Sequence, residues 1–161
     1  MLTSTSKGFN SNLRYNMSNK IWEFTGDTKI CFGIILKRIR ATVEFKLKCG
    51  IVVRKGELGG WIEKESNLSG DAWVYGNACV YGNARVYGNA EVRSSKDYCV
   101  YKNTWSSFRW FTYTRSNKMW KVGCFYGTGA ELIAKAYKDS EKSGKCYEAI
   151  VKAQEAIEKA M

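Results

Sequence analysis

Between positions 62 and 92 a large aliphatic side chain returns at every sixth residue: Ile62, Leu68, Val74, Val80, Val86 and Val92. Four positions after each of the first five stands a small residue, in order Ser66, Ala72, Ala78, Ala84 and Ala90. The clearest part reads GDAWVYGNACVYGNARVYGNAEV, in which Val-Tyr-Gly-Asn-Ala-X recurs. A fixed short period marks a solenoid, in which each repeat forms one structural unit and buries its apolar face only against its neighbours. Here each hexad predicts one short strand and one corner. Three hexads close a triangular turn of a short left-handed parallel β-helix. The aliphatic and small positions point inward, and Gly70, Gly76, Gly82 and Gly88 sit at corners, where a positive φ favours glycine. With three strands per turn, Tyr75 stacks on Arg93, Tyr81 on Glu63 and Tyr87 on Ser69, so one chain builds no tyrosine ladder. The repeat spans fewer than two full turns, so its flanks must cap it or copies must associate.

The flanks carry other periods. Over positions 39–49 the odd residues Ile39, Ala41, Val43, Phe45, Leu47 and Cys49 alternate with Arg40, Thr42, Glu44, Lys46 and Lys48. Period two predicts a strand, bent somewhere along this length, with one buried and one basic face. Upstream, IWEFTGDTKI reads as a short strand followed by a turn at Thr25-Gly26-Asp27, and Lys55-Gly56 and Gly59-Gly60 read as punctuation. Beyond Val92 the register breaks at RSSKDYC, and VYKNTW over 100–105 has the form of a decayed hexad. Alternation in FRWFTYTRS favours a strand. Thr128 with Glu131 three residues later is a capping box that opens a helix carrying Leu132, Ile133, Ala136 and Tyr137. Ser143-Gly144 is expected to break it before a second helix bearing Tyr147, Ile150, Val151 and Ile157. The expected class is mainly β with a C-terminal α hairpin. Its parts are a disordered extension (1–16), an N-terminal β cap (17–61), the short β-helix with an aromatic-basic β region (62–127) and the helices (128–161), which look like a packing or oligomerisation element.

Charge narrows the function classes. The chain of 161 residues holds 26 Lys and Arg against 15 Asp and Glu, a net charge of +11. The excess concentrates in 37–64, with eight basic and three acidic residues, and in 93–121, with seven basic and one acidic. Two basic zones around a near-neutral frame point to an anionic partner. The six cysteines form no Cys-x-x-Cys pair and the sequence has no histidine, which disfavours a zinc site. No N-terminal run has the form of a signal peptide, so reduced cytosolic thiols in the core are expected. No segment approaches the roughly 20 apolar residues that span a bilayer.

The lead-in GELGGWIEKESNLS, the hexads and the stretch RSNKMWKVGCFYGTG are similar to hexapeptide-repeat proteins carried by phages and prophages. The resemblance runs from about Ile21 into the second helix. It implies a β-helical architecture and a phage setting in the host cytoplasm, and brings no active site, because such proteins mostly lack an assigned activity.

Chemistry of the residues favours binding over catalysis. Hexapeptide acyltransferases use histidine as general base, and this sequence has none. No nucleophile motif or phosphate loop is present; Cys124 lies beside Lys121, whose positive charge would activate its thiol, and this is weighed against a core role. Ten aromatics fall within positions 98–126. Among them, Trp105, Trp110, Tyr113 and Trp120 interleave with Arg109, Arg115, Lys118 and Lys121. Aromatic faces stack on bases while Lys and Arg hold phosphates. Trp105, Arg109, Trp110, Tyr113, Arg115, Lys118 and Lys121 are therefore the candidate ligand-binding set, with no catalytic residue, metal or cofactor. The expected protein is a non-enzymatic, phage-encoded homo-oligomer (trimer or dimer) that counteracts host immunity. It would sequester an anionic nucleotide signal or block a nucleic-acid-dependent immune complex, through nucleotide, nucleic acid or a host immune protein and without a membrane. The alternatives are a structural or virion-associated assembly protein and an atypical hexapeptide transferase lacking His.

Overall fold

The computed structural model describes residues 20–161, so the expected extension at 1–16 lies outside them. In chain order the elements are β1 (Trp22–Cys31), β2 (Ile34–Ala41), β3 (Phe45–Lys46), β4 (Val52–Val53), β5 (Leu58–Ile62), β6 (Trp73–Val74), β7 (Cys79–Val80), β8 (Glu91–Val92), β9 (Tyr98–Lys102), β10 (Trp110–Thr114), β11 (Met119–Val122), β12 (Phe125–Gly127), α1 (Gly129–Asp139) and α2 (Glu141–Ala160). The protein is thus mainly β with a C-terminal helix pair.

The repeat behaves as its period demands. All six aliphatics from Ile62 to Val92 are buried in one cluster with Ala72, Ala78, Ala84 and Ala90. The strands pair in parallel at a constant offset of eighteen residues: Trp61 with Cys79, Ile62 with Val80, Leu68 with Val86, Trp73 with Glu91 and Val74 with Val92. Gly70 (φ +70°) lies directly under Gly88, and a Cβ on Gly70 would sit 3.1 Å from the Gly88 nitrogen. Only glycine meets both the left-handed backbone and that close approach. Arg93 stacks on Tyr75, guanidinium to ring 4.4 Å, as the offset requires. One inward position departs from the pattern. Ser66 is exposed, because a short 3-10 turn (Glu65–Asn67) advances the chain and buries Asn67 instead. Asn67 Oδ1 accepts from Lys64 N (2.9 Å), and its Nδ2 donates to Gly82 O (3.2 Å) and Ala84 O (2.9 Å). The turn recurs at Ser95–Asp97, where Asp97 Oδ2 accepts from Arg93 N (2.7 Å) and Ser94 N (2.8 Å).

The ladder stops after its second layer, and side chains close it. Trp73 and Tyr75 donate their N–H groups to Ala90 O and Val92 O. Their counterparts eighteen residues on, Glu91 and Arg93, donate to Ser116 Oγ (2.8 Å) and Asp97 Oδ2 (2.7 Å). Arg85 N likewise donates to Thr112 Oγ1 (2.8 Å), and Cys79 O accepts from Tyr98 Oη (3.1 Å). Buried backbone donors need partners, and here the antiparallel meander β12-β11-β10-β9 supplies most of them.

Strand β2 keeps Ile39 and Ala41 buried, but the expected run to Cys49 breaks after Ala41, and Val43 and Cys49 are exposed. Thr25-Gly26-Asp27 is not a chain reversal. It forms a bulge within β1, between Phe24–Ile39 and Thr28–Lys37 pairs, and the chain turns instead at Phe32-Gly33. Gly59 and Gly60 do not punctuate either. They lie inside β5, where a Cβ on Gly59 would come within 2.8 Å of Trp73 and one on Gly60 within 2.7 Å of Ala78 O. The first half of the expected decayed hexad, 100–102, falls in β9, which pairs antiparallel with β10 and leaves the parallel ladder.

A second core lies between the meander and the helices, built from Phe111, Tyr113, Trp120, Val122, Leu132 and Val151. Thr128 caps α1 with Glu131 as expected. The break falls at Ser140, which caps α2; Ser143 and Gly144 lie within α2. Gly144 is buried where a Cβ would collide with the Tyr137 ring, so it permits close helix packing. Ile157, expected on the apolar side, is exposed. None of the six cysteines is fully buried, and Cys49 and Cys124 are exposed, so the expected core role fails for them.

Candidate anion-binding groove

Alternation splits β10 between two environments. Phe111 and Tyr113 point to the helices, whereas Trp110 and Thr112 point to the repeat. The face toward the repeat leaves a groove of about 260 Å³ between the corner at Gly82 and the start of β10. Lys64, Arg85, Arg109 and Trp110 line it, together with Asn83 and Gly123.

Each side chain is positioned by a local device. Lys64 precedes the turn that Asn67 organises. Arg85 is held at its backbone by Thr112 Oγ1. Arg109 ends a loop nucleated by the fully buried Asn103. The Asn103 Oδ1 accepts from Trp105 N (3.1 Å) and Ser106 N (2.9 Å), and its N–H donates to Arg109 O (2.8 Å). Gly123 (φ +55°) lets Arg109 lie flat, since a Cβ there would stand 3.3 Å from Arg109 Cδ. The half-open ring of Trp110 carries Lys102 Nζ at 5.4 Å from its centroid. Among the described residues, none of Lys64, Arg85 and Arg109 has a carboxylate within ion-pair distance. Three unpaired cations on one concave surface give it a positive potential.

The seven candidate residues do not form one surface. Arg109 and Trp110 meet in the groove. Lys121 shares their sheet face through its pairing with Thr112, and its Nζ lies 4.4 Å over the Tyr87 ring. Trp105 packs on Phe111 (6.2 Å) and Tyr147 (5.7 Å), and Tyr113 is buried against Trp120 (5.0 Å), both on the helix side. Arg115 is tied to Glu158 at 2.9 Å, and Lys118 is exposed in the β10–β11 turn. Of the ten aromatics, Phe108 and Trp110 alone are exposed. The reading of the sequence missed Lys64 and Arg85. Arg85 carried one signal: it is the only base at the variable position of the three visible repeats, beside Cys79 and Glu91.

Burial around both cores pushes the phenols of Tyr75, Tyr98 and Tyr113 up to about 12 from an ordinary 10.0. A raised acid stays protonated in the folded chain after the unfolded chain has ionised, so folding stability is full below pH 10 and falls as pH rises toward 12. The Tm is expected to decline steadily across that window, with late phenolate absorbance appearing only as the protein melts. A flat Tm through it contradicts the burial.

No family model matches the chain, and no curated protein or solved structure is significantly similar to it. Among the described residues, no helix is long and apolar enough to cross a membrane.

Proposed function

We propose that this protein is a non-catalytic binder of a phosphate-bearing ligand, a nucleotide or a nucleic-acid segment, held in the groove of Lys64, Arg85, Arg109 and Trp110. The observation that carries this reading is three unpaired cations and a half-exposed indole on one concavity. Arginine forks onto phosphate oxygens, lysine supplies a point charge, and the indole face takes a base. The groove lining offers no thiol or carboxylate as nucleophile or base, and the sequence has no histidine, which supports capture over turnover.

The eighteen-residue offset and the shared aliphatic interior support reading the repeat as a short left-handed parallel β-helix. The resemblance to phage hexapeptide proteins supports a setting in the host cytoplasm, where trapping a nucleotide signal or occupying a nucleic-acid-dependent complex would blunt host immunity. A second reading, self-assembly into an oligomer, is favoured by the exposed Ile30, Phe32 and Ile35 at the β1–β2 tip.

Titration with ATP and with a short single-stranded oligonucleotide, followed by Trp110 fluorescence, tests the groove. Binding is expected to weaken steeply with salt. The double variant Arg85→Glu, Arg109→Glu should lose roughly 100-fold in affinity with Tm unchanged, as expected when charge-assisted phosphate contacts turn repulsive. Arg115→Glu, outside the groove, should bind as wild type. Equal affinity in the double variant, or no binding of either probe, removes the groove as the site.

A further inference from the structure

At the tip of the β1–β2 hairpin, Phe32 (φ 52°) and Gly33 (φ 77°) reverse the chain, and individual side chains of the otherwise exposed tip reach toward β5 and the end of β7. Lys29 Nζ sits 4.6 Å from the Trp61 ring centroid, and the Phe32 ring is 6.4 Å from that of Tyr81. This arrangement places Cys31, the last residue of β1, on the same cavity as Cys79 of β7, forty-eight positions later in the chain. Both thiols are half-buried and free, and both line one cavity of about 340 Å³ with Phe32, Tyr81, Ser94 and Ser95. Burial raises the Cys79 thiol above its ordinary range, the Lys29 ammonium pulls it down and the neighbouring Cys31 thiol raises it, while Cys79 Sγ donates to Asn77 O (3.3 Å).

We propose that Cys31 and Cys79 form a reversible thiol–disulfide pair, a modification site opened to small disulfide oxidants by the cavity they share. Both thiols line one cavity, and the ring of Phe32, next to Cys31, approaches Tyr81, two residues beyond Cys79. The cavity opens onto both sulfurs, and the Lys29 ammonium offsets part of the burial penalty on the Cys79 thiolate. With oxidised glutathione as the oxidant, Cys31 loses its proton and its Sγ attacks one glutathione sulfur, and the other half leaves as a thiolate that takes up that proton. Cys79 then loses its proton and attacks the Cys31 sulfur of the mixed disulfide, expelling the second glutathione. Two protein thiols are oxidised to one disulfide, and one glutathione disulfide is reduced to two thiols. The product staples the hairpin to the repeat and closes the mouth of the cavity. Excess reduced glutathione reverses both steps.

The full chain is equilibrated in mixtures of reduced and oxidised glutathione, quenched in acid, alkylated and mapped by peptide mass. Oxidation is expected to remove about 2 Da, as one disulfide replaces two thiols, and to join the Cys31 and Cys79 peptides. Closing so long a loop should raise the Tm by roughly 10 °C. Cys31→Ser and Cys79→Ser should each stop at a single glutathione adduct on the remaining thiol, with no rise in Tm. Separate adducts on both cysteines of the wild type, a cross-link through any other pair, or no oxidation across the whole range would each overturn the assignment.

Discussion

Asn67→Ala is expected to destabilise the protein by about 3 kcal/mol, with most of the loss traceable to three backbone groups. The side chain is fully buried and serves Lys64 N, Gly82 O and Ala84 O at once. Removing it strands one donor and two acceptors at a corner where the apolar interior begins, and each unsatisfied buried group costs about 1–3 kcal/mol before relaxation. Water will recover part of this. Asn67→Asp is the sharper test. It keeps the acceptor for Lys64 N but turns a negative oxygen toward two carbonyls. It should cost at least as much as alanine at neutral pH and recover partly in acid, where a protonated carboxyl donates again. Urea melts followed by circular dichroism measure both. A change below about 0.5 kcal/mol for alanine would mean that the corner does not depend on this residue.

Trp73→Ala should cost about 4 kcal/mol, the largest single-residue effect expected in this chain. Trp73 is fully buried where the N-terminal strands meet the repeat, edge-on to Phe45 at 5.4 Å and against the bare backbone of Gly59. Neither neighbour can fill the void, since Gly59 has no side chain and Phe45 is fixed in the short β3–β4 ladder. The indole Nε1 is buried without a partner, so part of its contribution is already offset. Trp73→Phe removes that nitrogen and most of the void, and should cost under about 2 kcal/mol. Guanidinium melts read by far-UV and near-UV signals separate two outcomes. Coincident curves shifted together mean that hairpin and repeat unfold as one unit. Two separated transitions in the alanine variant, with the repeat unaffected, would show that the Trp73 contact is what joins them, and a loss below about 1 kcal/mol would mean that the site closes without a void.

The interior of the repeat was legible because it depends on period alone. Six aliphatics at one spacing need only be counted, and they share one interior, with parallel pairs eighteen residues apart. Single substitutions within the pattern were not legible. Ser66 stands at the small position, yet one short 3-10 turn moves Asn67 into its place, and nothing in the spacing announces that turn. Glycine is ambiguous for a similar reason. At Gly70 it answers a positive φ, at Gly60 a neighbouring carbonyl, and at Gly144 an aromatic ring. Local sequence cannot tell conformational need from lack of room.

The candidate site was half legible. Charge and aromatic density drew attention to the right strand, but Trp110 and Tyr113 are three residues apart. In a strand an odd separation places side chains on opposite faces. That rule alone separates the groove residue from the core residue. Lys64 and Arg85 belong to other elements, and only the packing of the meander on the repeat brings them beside Arg109.

A stack of parallel strands with bare donors at its end is a template, and an identical molecule or any extended peptide would prolong it. The hydroxyls of Thr112 and Ser116 and the carboxylate of Asp97 occupy those donors from within the same chain. Those three donors are therefore occupied and offer no pairing to a further strand. An extra eighteen-residue module would have to arrive with a re-sited lid.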